Sequence, residues 1–307
     1  MKIGIATSSF GSISDEPIKI LLDNNFQIIF NDTKQVVNED WLIKNFSDCD
    51  AVIAGTEIYN QKVLSHLSNL KIISRLGVGV DNLDIEYAKK KNIKISIVAT
   101  TPELSVAELV LSYILSISRE THNHHFDLKH NLKWKKRMGG LVTGKVLGII
   151  GLGKIGKRLV NLVSGFNMKI LVHDINPDHN FILDNKINLV SFDTLINQSD
   201  YITIHVDSLG INSNMFNKNT FLKMKKNSTI INTSRGSLIN EYDLYEALKK
   251  KIIGFAALDV FKNEPYTGNL INLDNVILTP HIGSYAREIR LKMECEASDN
   301  IINFIMS

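Results

Sequence analysis

Short runs rich in Ile and Val alternate with stretches of helical period along nearly the whole chain. In the first hundred residues the runs are Lys2–Ala6, Phe26–Phe30, Ala51–Ala54, Lys71–Ser74 and Lys94–Val98. Between them lie the amphipathic stretches Pro17–Asn24, Glu39–Phe46, Gln61–Leu67 and Ile85–Lys91. Strands that are apolar throughout are buried on both faces. Joined one after another through helices, they predict an α/β fold with a parallel sheet covered on each side.

The rhythm breaks at Thr100-Thr101-Pro102. Glu103–Arg119 predicts one long helix with Pro102 in its first turn. Thr121–Gly140, polar and rich in His and Lys without clear periodicity, is expected to be an extended excursion. A second series follows, with runs at Val146–Ile150, Lys169–His173, Tyr201–His205, Ser228–Asn232, Gly254–Leu258 and Val276–Leu278. Arg287–Ile305 predicts a single amphipathic helix. A length of 307 residues suits two domains, each with its own core.

Composition narrows the function classes. Lys plus Arg 35 against Asp plus Glu 32 leaves a net charge of +3, too balanced to suggest a nucleic-acid or membrane partner. Two cysteines far apart in sequence, Cys49 and Cys295, fit free thiols in a reducing cytoplasm. The apolar start at Met1–Ala6 is too short for a signal peptide. Val106–Ile117 carries Glu108 and falls short of the ~20 residues of a membrane span. The expectation is a soluble, cytoplasmic protein.

Gly151-Leu152-Gly153-Lys154-Ile155-Gly156 directly follows one apolar run and opens a helical stretch, and a second run ends at Asp174. Glycines at this spacing are weak alone, but strand, turn, helix and acid together define a dinucleotide site. Gly151 permits the tight turn, Gly153 lets the backbone approach a pyrophosphate, and Gly156 lets the helix pack on the strand. The helix start offers free N–H groups to phosphate. Asp174 can accept ribose hydroxyls and would repel a 2′-phosphate, so NAD is favoured over NADP.

Ligands of open α/β sheets bind beyond the carboxyl ends of the strands. In the second series those ends carry Gly151, Asp174, His205 with Asp207, Thr233–Gly236 including Arg235, Asp259 and His281. His281 can exchange a proton near neutral pH. Glu264 can hold the other imidazole nitrogen, and Arg235 offers a planar fork to a carboxylate. With NAD, such a set suits hydride transfer at a 2-hydroxy or 2-oxo acid.

Several stretches in order resemble the D-isomer-specific 2-hydroxyacid dehydrogenases, and within them the phosphoglycerate dehydrogenase-like branch. They are Ser74-Arg75-Leu76-Gly77-Val78-Gly79-Val80-Asp81-Asn82, Ser105-Val106-Ala107-Glu108-Leu109, the glycine turn, Asn232–Gly236, Ala257–Phe261 with Glu264-Pro265, and His281–Ser284. The resemblance implies two doubly wound parallel-sheet domains. A Rossmann NAD-binding domain (100–283) would be inserted in a flavodoxin-like substrate domain (1–99 plus 284–307). It implies that Arg235, Glu264 and His281 are the catalytic residues. The backbone of Val78 and Gly79, with Arg75 nearby, would hold the substrate carboxylate. Asp259 would bond the nicotinamide carboxamide, and His205 and Thr233 would line the cofactor cleft. It also implies a homodimer through the 103–140 region.

Thr100–Leu104 departs from the run many members have there, which leaves the substrate open. The best expectation is a 3-phosphoglycerate-like acid, with glyoxylate or hydroxypyruvate as alternatives. A non-catalytic NAD(H)-sensing scaffold keeps the same triad, and a formate-type dehydrogenase is a third reading. The chain ends at Ser307, so no regulatory amino-acid-binding domain is expected. Other features read more plainly. His122, His124, His125 and His130 lack a carboxylate or cysteine, so a solvated helix end is expected rather than a metal site. Lys133, Lys135, Lys136 and Arg137 around Trp134 read as a charged rim. Arg75 could instead pair locally with Asp81 or Asp84, and Arg235 could cap the helix that follows it.

Overall fold

A computed structural model describes residues 1–207 and 213–306. The chain divides into two compact units, Met1–Pro102 with Ser284–Ser307, and Glu103–Gly283.

The first unit runs β1 (Lys2–Ile5), α1 (Glu16–Leu22), β2 (Gln27–Phe30), α2 (Glu39–Phe46), β3 (Ala51–Ala54), α3 (Gln61–His66), β4 (Ile72–Arg75), α4 (Ile85–Lys90) and β5 (Lys94–Ile97). Its five parallel strands lie in the order β2-β1-β3-β4-β5, the flavodoxin-like arrangement. The second unit runs α5 (Glu103–Ser118), α6 (Thr121–Asn131), β6 (Val146–Ile150), α7 (Lys154–Val163), β7 (Lys169–His173), α8 (His179–Asp184) and β8 (Asn188–Leu189). It continues with α9 (Phe192–Gln198), β9 (Tyr201–Ile204), α10 (Lys218–Lys223), β10 (Thr229–Asn232), α11 (Glu241–Lys249), β11 (Phe255–Leu258) and β12 (Val276–Leu278). Its sheet order, β12-β11-β10-β9-β6-β7-β8, is that of a Rossmann domain, reversing direction at β6. The chain then returns to the first unit as α12 (Arg287–Met306).

Each sheet is buried on both faces because successive strand residues point to opposite sides. In β3, Ala51 and Ile53 pack towards Leu21 of α1 and Met293, Ala297 and Ile301 of α12. Val52 and Ala54 pack towards Leu42, Phe46, Val63 and Leu64 on α2 and α3. In the second unit, Leu147 and Ile149 meet Val110, Ile114 and Leu159, whereas Ile150 faces the side holding Leu195 and Leu244. The helix starts are fixed locally. Asn38, Asn60, Asp84, Asp178, Ser191 and Asn240 each accept a backbone N–H of the first turn.

Four expectations are corrected. Thr121–Asn131 is helical rather than extended; Asp127 is buried there and holds Arg137 at 2.8 Å, and Phe126 packs on His130 one turn on. A polar helix held by such contacts gives no apolar period to read. Pro102 precedes the long helix instead of standing in its first turn. The two-residue edge strand β8 went unread, being too short to show alternation. Finally, α12 has no clean apolar face: its buried stripe mixes Met293, Ala297 and Ile301 with Arg290, Glu294 and Ser298. Arg290 and Glu294 offset one another at 2.7 Å, Gly11 N–H donates to Glu294, and Arg290 donates to Ser9. Among the described residues no helix is long and apolar enough to cross a membrane.

Candidate active site

The turn after β6 uses its three glycines for different reasons. Gly151 has φ +90°, and a methyl group there would lie 2.7 Å from the His205 carbonyl oxygen. A methyl on Gly156 would lie 2.6 Å from the Gly151 carbonyl oxygen, so this glycine sets how closely α7 approaches the turn. Gly153 has an ordinary φ of −73°, and a methyl there would meet nothing within 4 Å. No protein atom requires glycine at 153, and the open space lies beside the start of α7, which no side chain caps. Lys154 and Ile155 supply the first amides of that helix. Asp174, after β7, accepts the Leu152 amide at 2.6 Å and the Asn176 amide at 2.7 Å. A carboxylate retains lone pairs after two such bonds, so ribose hydroxyls can still be accepted.

His205 and Thr233 follow β9 and β10 and carry buried polar atoms without a partner in the protein, Nδ1 and Oγ1 respectively. His205 Nε2 lies 3.0 Å from Thr203 Oγ1, and burial pushes the imidazole pKa down to about 3. A neutral ring with an unused nitrogen, an unused hydroxyl, open space at Gly153 and an uncapped helix start together fit a dinucleotide. Among the described residues no group of His, Cys, Asp or Glu is arranged to hold a metal ion.

The structure brings Glu264 and His281 together. His281 Nδ1 lies 2.8 Å from Glu264 Oε2, with the side chains 39% and 27% exposed. An ionised carboxylate only accepts, so Nδ1 carries the proton and Nε2 is left for other chemistry. Glu264 also accepts the Phe261 amide at 3.0 Å. Burial alone would raise the Glu264 pKa. The His281 hydrogen bond and charge, the Phe261 amide and the charge of Arg235 outweigh it, and the carboxyl ends below its ordinary value. Arg235 follows β10, its Nη1 donating to the Ser234 carbonyl at 2.8 Å. Gly236 allows this loop to lie on the Glu264 loop, since a methyl there would come within 1.9 Å of the Phe261 carbonyl carbon. Arg235 is not the cap of α11; Asn240 is.

Asp259 has structural partners that the sequence does not announce. It is 1% exposed and committed to the loop that follows β12, accepting Thr279 Oγ1 at 2.5 Å and the amides of Ile282 and Gly283 at 2.8 Å each. The sequence could show an acid at a strand end but not which donors would fold onto it. Thr279, Ser105 and Tyr113 also touch this loop; Ser105 and Thr279 stand in stretches that the sequence singles out, whereas nothing in the sequence points to Tyr113.

In the first unit, Arg75 ends β4 and is 8% exposed. Its Nε donates to the Gly79 carbonyl at 2.9 Å and Nη1 to the Leu76 carbonyl at 2.5 Å. The guanidinium thus gathers the carbonyls of the loop carrying Val78 and Gly79. Gly77 takes φ +148° and leaves room for it, since a methyl there would lie 2.6 Å from Nη1. Glu57, 3% exposed at the end of the neighbouring strand, folds back onto the Gly55 amide at 2.8 Å, and burial raises its pKa.

A Rossmann unit with a glycine turn and a paired His and Glu defines a dinucleotide-dependent enzyme class, and comparison narrows it. The family model described as D-isomer specific 2-hydroxyacid dehydrogenase, NAD binding domain, matches residues 111–283. The hydroxypyruvate reductase of Thermotoga maritima is 34% identical over 278 residues, covering 88% of this chain and 89% of that protein. The D-3-phosphoglycerate dehydrogenase of Archaeoglobus fulgidus is 32% identical over 296 residues, 95% of this chain but 55% of that protein. The chain therefore spans about half the length of that relative. Among solved structures, phosphoglycerate oxidoreductase from Vibrio cholerae superposes with a TM-score of 0.89 at 26% identity, over 100% of this chain and 99% of that one. The chain belongs to the D-isomer-specific 2-hydroxyacid dehydrogenase family, and its second unit is the family's NAD-binding domain.

Proposed function

We propose that the chain is an NAD-dependent oxidoreductase that interconverts a D-2-hydroxy acid and its 2-oxo acid. The observation that carries this reading is the His281–Glu264 pair, at 2.8 Å in the same unit as the glycine turn. Bound NAD supplies or accepts the hydride. It would be held by the turn from Gly151 to Gly156, by Asp174, and by His205 and Thr233.

In the direction of reduction, His281 Nε2 gives a proton to the oxygen on C2 while Glu264 keeps hold of Nδ1. In oxidation the neutral ring takes that proton back. Arg235 takes the substrate carboxylate and fixes C2 for transfer, and the Val78 and Gly79 amides are the first unit's candidate donors to a carboxylate. Arg75 serves by keeping the carbonyls of that loop turned towards itself. Asp259 serves the loop that carries His281.

The substrate reading is a 3-phosphoglycerate-like acid, supported by relatives named D-3-phosphoglycerate dehydrogenase. Hydroxypyruvate is the second reading, favoured by a nearly end-to-end match with a hydroxypyruvate reductase. Following NADH oxidation with phosphohydroxypyruvate, hydroxypyruvate, glyoxylate and pyruvate tests both. No turnover with any 2-oxo acid would remove the 2-hydroxyacid dehydrogenase reading.

We further infer a homodimer through the 103–140 region. Leu132, Trp134 and Met138 are 88%, 83% and 94% exposed there, apolar side chains that a subunit contact would cover. Two free thiols support a cytoplasmic location. Sedimentation of the wild type against Trp134→Glu tests the dimer; equal mass for both would count against it.

A further inference from the structure

We propose, resting on the oxidoreductase reading above, that Ser105 and Tyr113 on α5 are positioning residues. Through Thr279, Asp259 and Gly283 they clamp the loop that presents His281.

His281 cannot hold its place by backbone preference alone. Its φ is +55°, a left-handed conformation uncommon for a residue with a side chain, and its own amide turns back to the Thr279 carbonyl at 3.0 Å. Such a turn persists only where its surroundings over-determine it. The surroundings here are a closed set of hydrogen bonds on both sides of the histidine.

On the N-terminal side, the Thr279 hydroxyl has one proton and gives it to Asp259 Oδ1 at 2.5 Å. The same hydroxyl is hydrogen-bonded to Tyr113, which must therefore be the donor. Burial raises the Tyr113 pKa and keeps the phenol protonated for that task. On the C-terminal side, Asp259 takes the Ile282 and Gly283 amides at 2.8 Å each. Ser105 donates to the Gly283 carbonyl at 2.6 Å. Gly283 is thus held by its amide and its carbonyl at once. A methyl group there would lie 3.2 Å from both Asp259 Oδ2 and a Val106 methyl, so the loop is seated directly on α5.

Ser105, Tyr113 and Asp259 are nearly dry at 8%, 4% and 1% exposed, and Gly283 is buried beside them, while Thr279 and Ile282 are half-buried. Removing one donor leaves a buried acceptor unpaired, and water is poorly placed to replace it. The imidazole would then drift relative to Glu264. Displacements of about 1 Å in a reacting group cost on the order of 10²-fold in rate.

The test uses the full chain carrying Tyr113→Phe, which removes only a hydroxyl, and separately Ser105→Ala. Turnover is followed with NADH and whichever 2-oxo acid the wild type reduces best. Each variant is expected to lose roughly 10-fold to 100-fold in kcat, with the KM for NADH changed by less than about twofold. The Glu264 carboxyl, followed by carbon-13 NMR, is expected to titrate at higher pH than in the wild type because its bond to His281 loosens. Wild-type kcat with an unmoved Glu264 titration in both variants overturns the clamp. So does a loss of activity accounted for entirely by a smaller folded fraction. If the wild type reduces no 2-oxo acid, the functional reading falls, and the Glu264 titration still decides the clamp.

Discussion

His281 Nδ1 and Glu264 Oε2 stand 2.8 Å apart although the two residues are seventeen positions apart in the chain. Two loops, after β11 and after β12, are shaped so that one imidazole nitrogen is tied and the other is presented. His281→Ala is expected to bind NADH as the wild type does and to lose ~10²–10⁴ in turnover. Fluorescence titration with NADH beside steady-state kinetics checks both halves, and unchanged turnover would remove His281 from the reaction.

The pair also predicts a pH effect on Glu264. Its pKa lies below the ordinary value, so the stability it contributes is present above the unfolded carboxyl pKa and is lost as pH falls through the folded one. In His281→Ala the charge and hydrogen bond of the imidazole are gone, while burial, the Phe261 amide and the charge of Arg235 remain. The Glu264 carboxyl should then titrate at higher pH than in the wild type, as carbon-13 NMR would read. A midpoint equal to the wild type's would mean that the pair does not exist in solution.

His205 acts in the same direction for a different reason, since burial alone lowers its pKa. With a folded pKa of about 3 against 6.5 for a free histidine, the unfolded chain binds a proton between those values and the folded chain does not. Stability should therefore fall as pH drops through that window, by about 1.4 kcal/mol per pH unit for this one group. His205→Gln should melt with a flatter pH dependence between pH 6.5 and 4 than the wild type.

The glycine turn offers a contrast within four residues. Gly151→Ala forces a methyl group into the His205 carbonyl at positive φ and should destabilise the fold by about 1–3 kcal/mol. Gly153→Ala meets no protein atom and should melt like the wild type, yet bind NADH more weakly. Thermal melts with and without NADH separate the two. Normal NADH binding by Gly153→Ala would show that no cofactor reaches that space.

Glu57 is a carboxylate folded into the dry end of the first sheet, with its pKa raised by burial. Above the raised pKa its ionised form costs stability, and that cost is relieved as pH falls through it. Glu57→Gln, which can still accept the Gly55 amide, should match or exceed the wild type in urea melts at pH 8. The difference should shrink in acid.

Much of this was legible because parallel strands buried on both faces leave unbroken apolar runs. Ala51–Ala54, Val146–Ile150 and Lys169–His173 stand where the runs placed them, and the glycine turn lies between β6 and α7 as expected. Signals failed where structure depends on partners distant in sequence. Thr121–Asn131 is helical because of what Asp127 and Phe126 touch, and no period reports that. Asp259 was visible as an acid at a strand end, but its donors lie twenty or more residues away at Thr279, Ile282 and Gly283. A chain of hydroxyls from Tyr113 through Thr279 has no sequence signature at all.

The place of α12 in the first unit has a consequence for synthesis. Met293, Ala297 and Ile301 fill the same cluster as Ile3, Ile5 and Ile53, and the Ala297 carbonyl takes the buried Ser74 hydroxyl at 2.8 Å. A nascent chain therefore leaves the ribosome with one side of its earliest sheet bare until residues 287–306 have been made, whereas the cofactor unit can close beforehand. Emergence of α12, rather than of the leading strands, sets when the first unit can close.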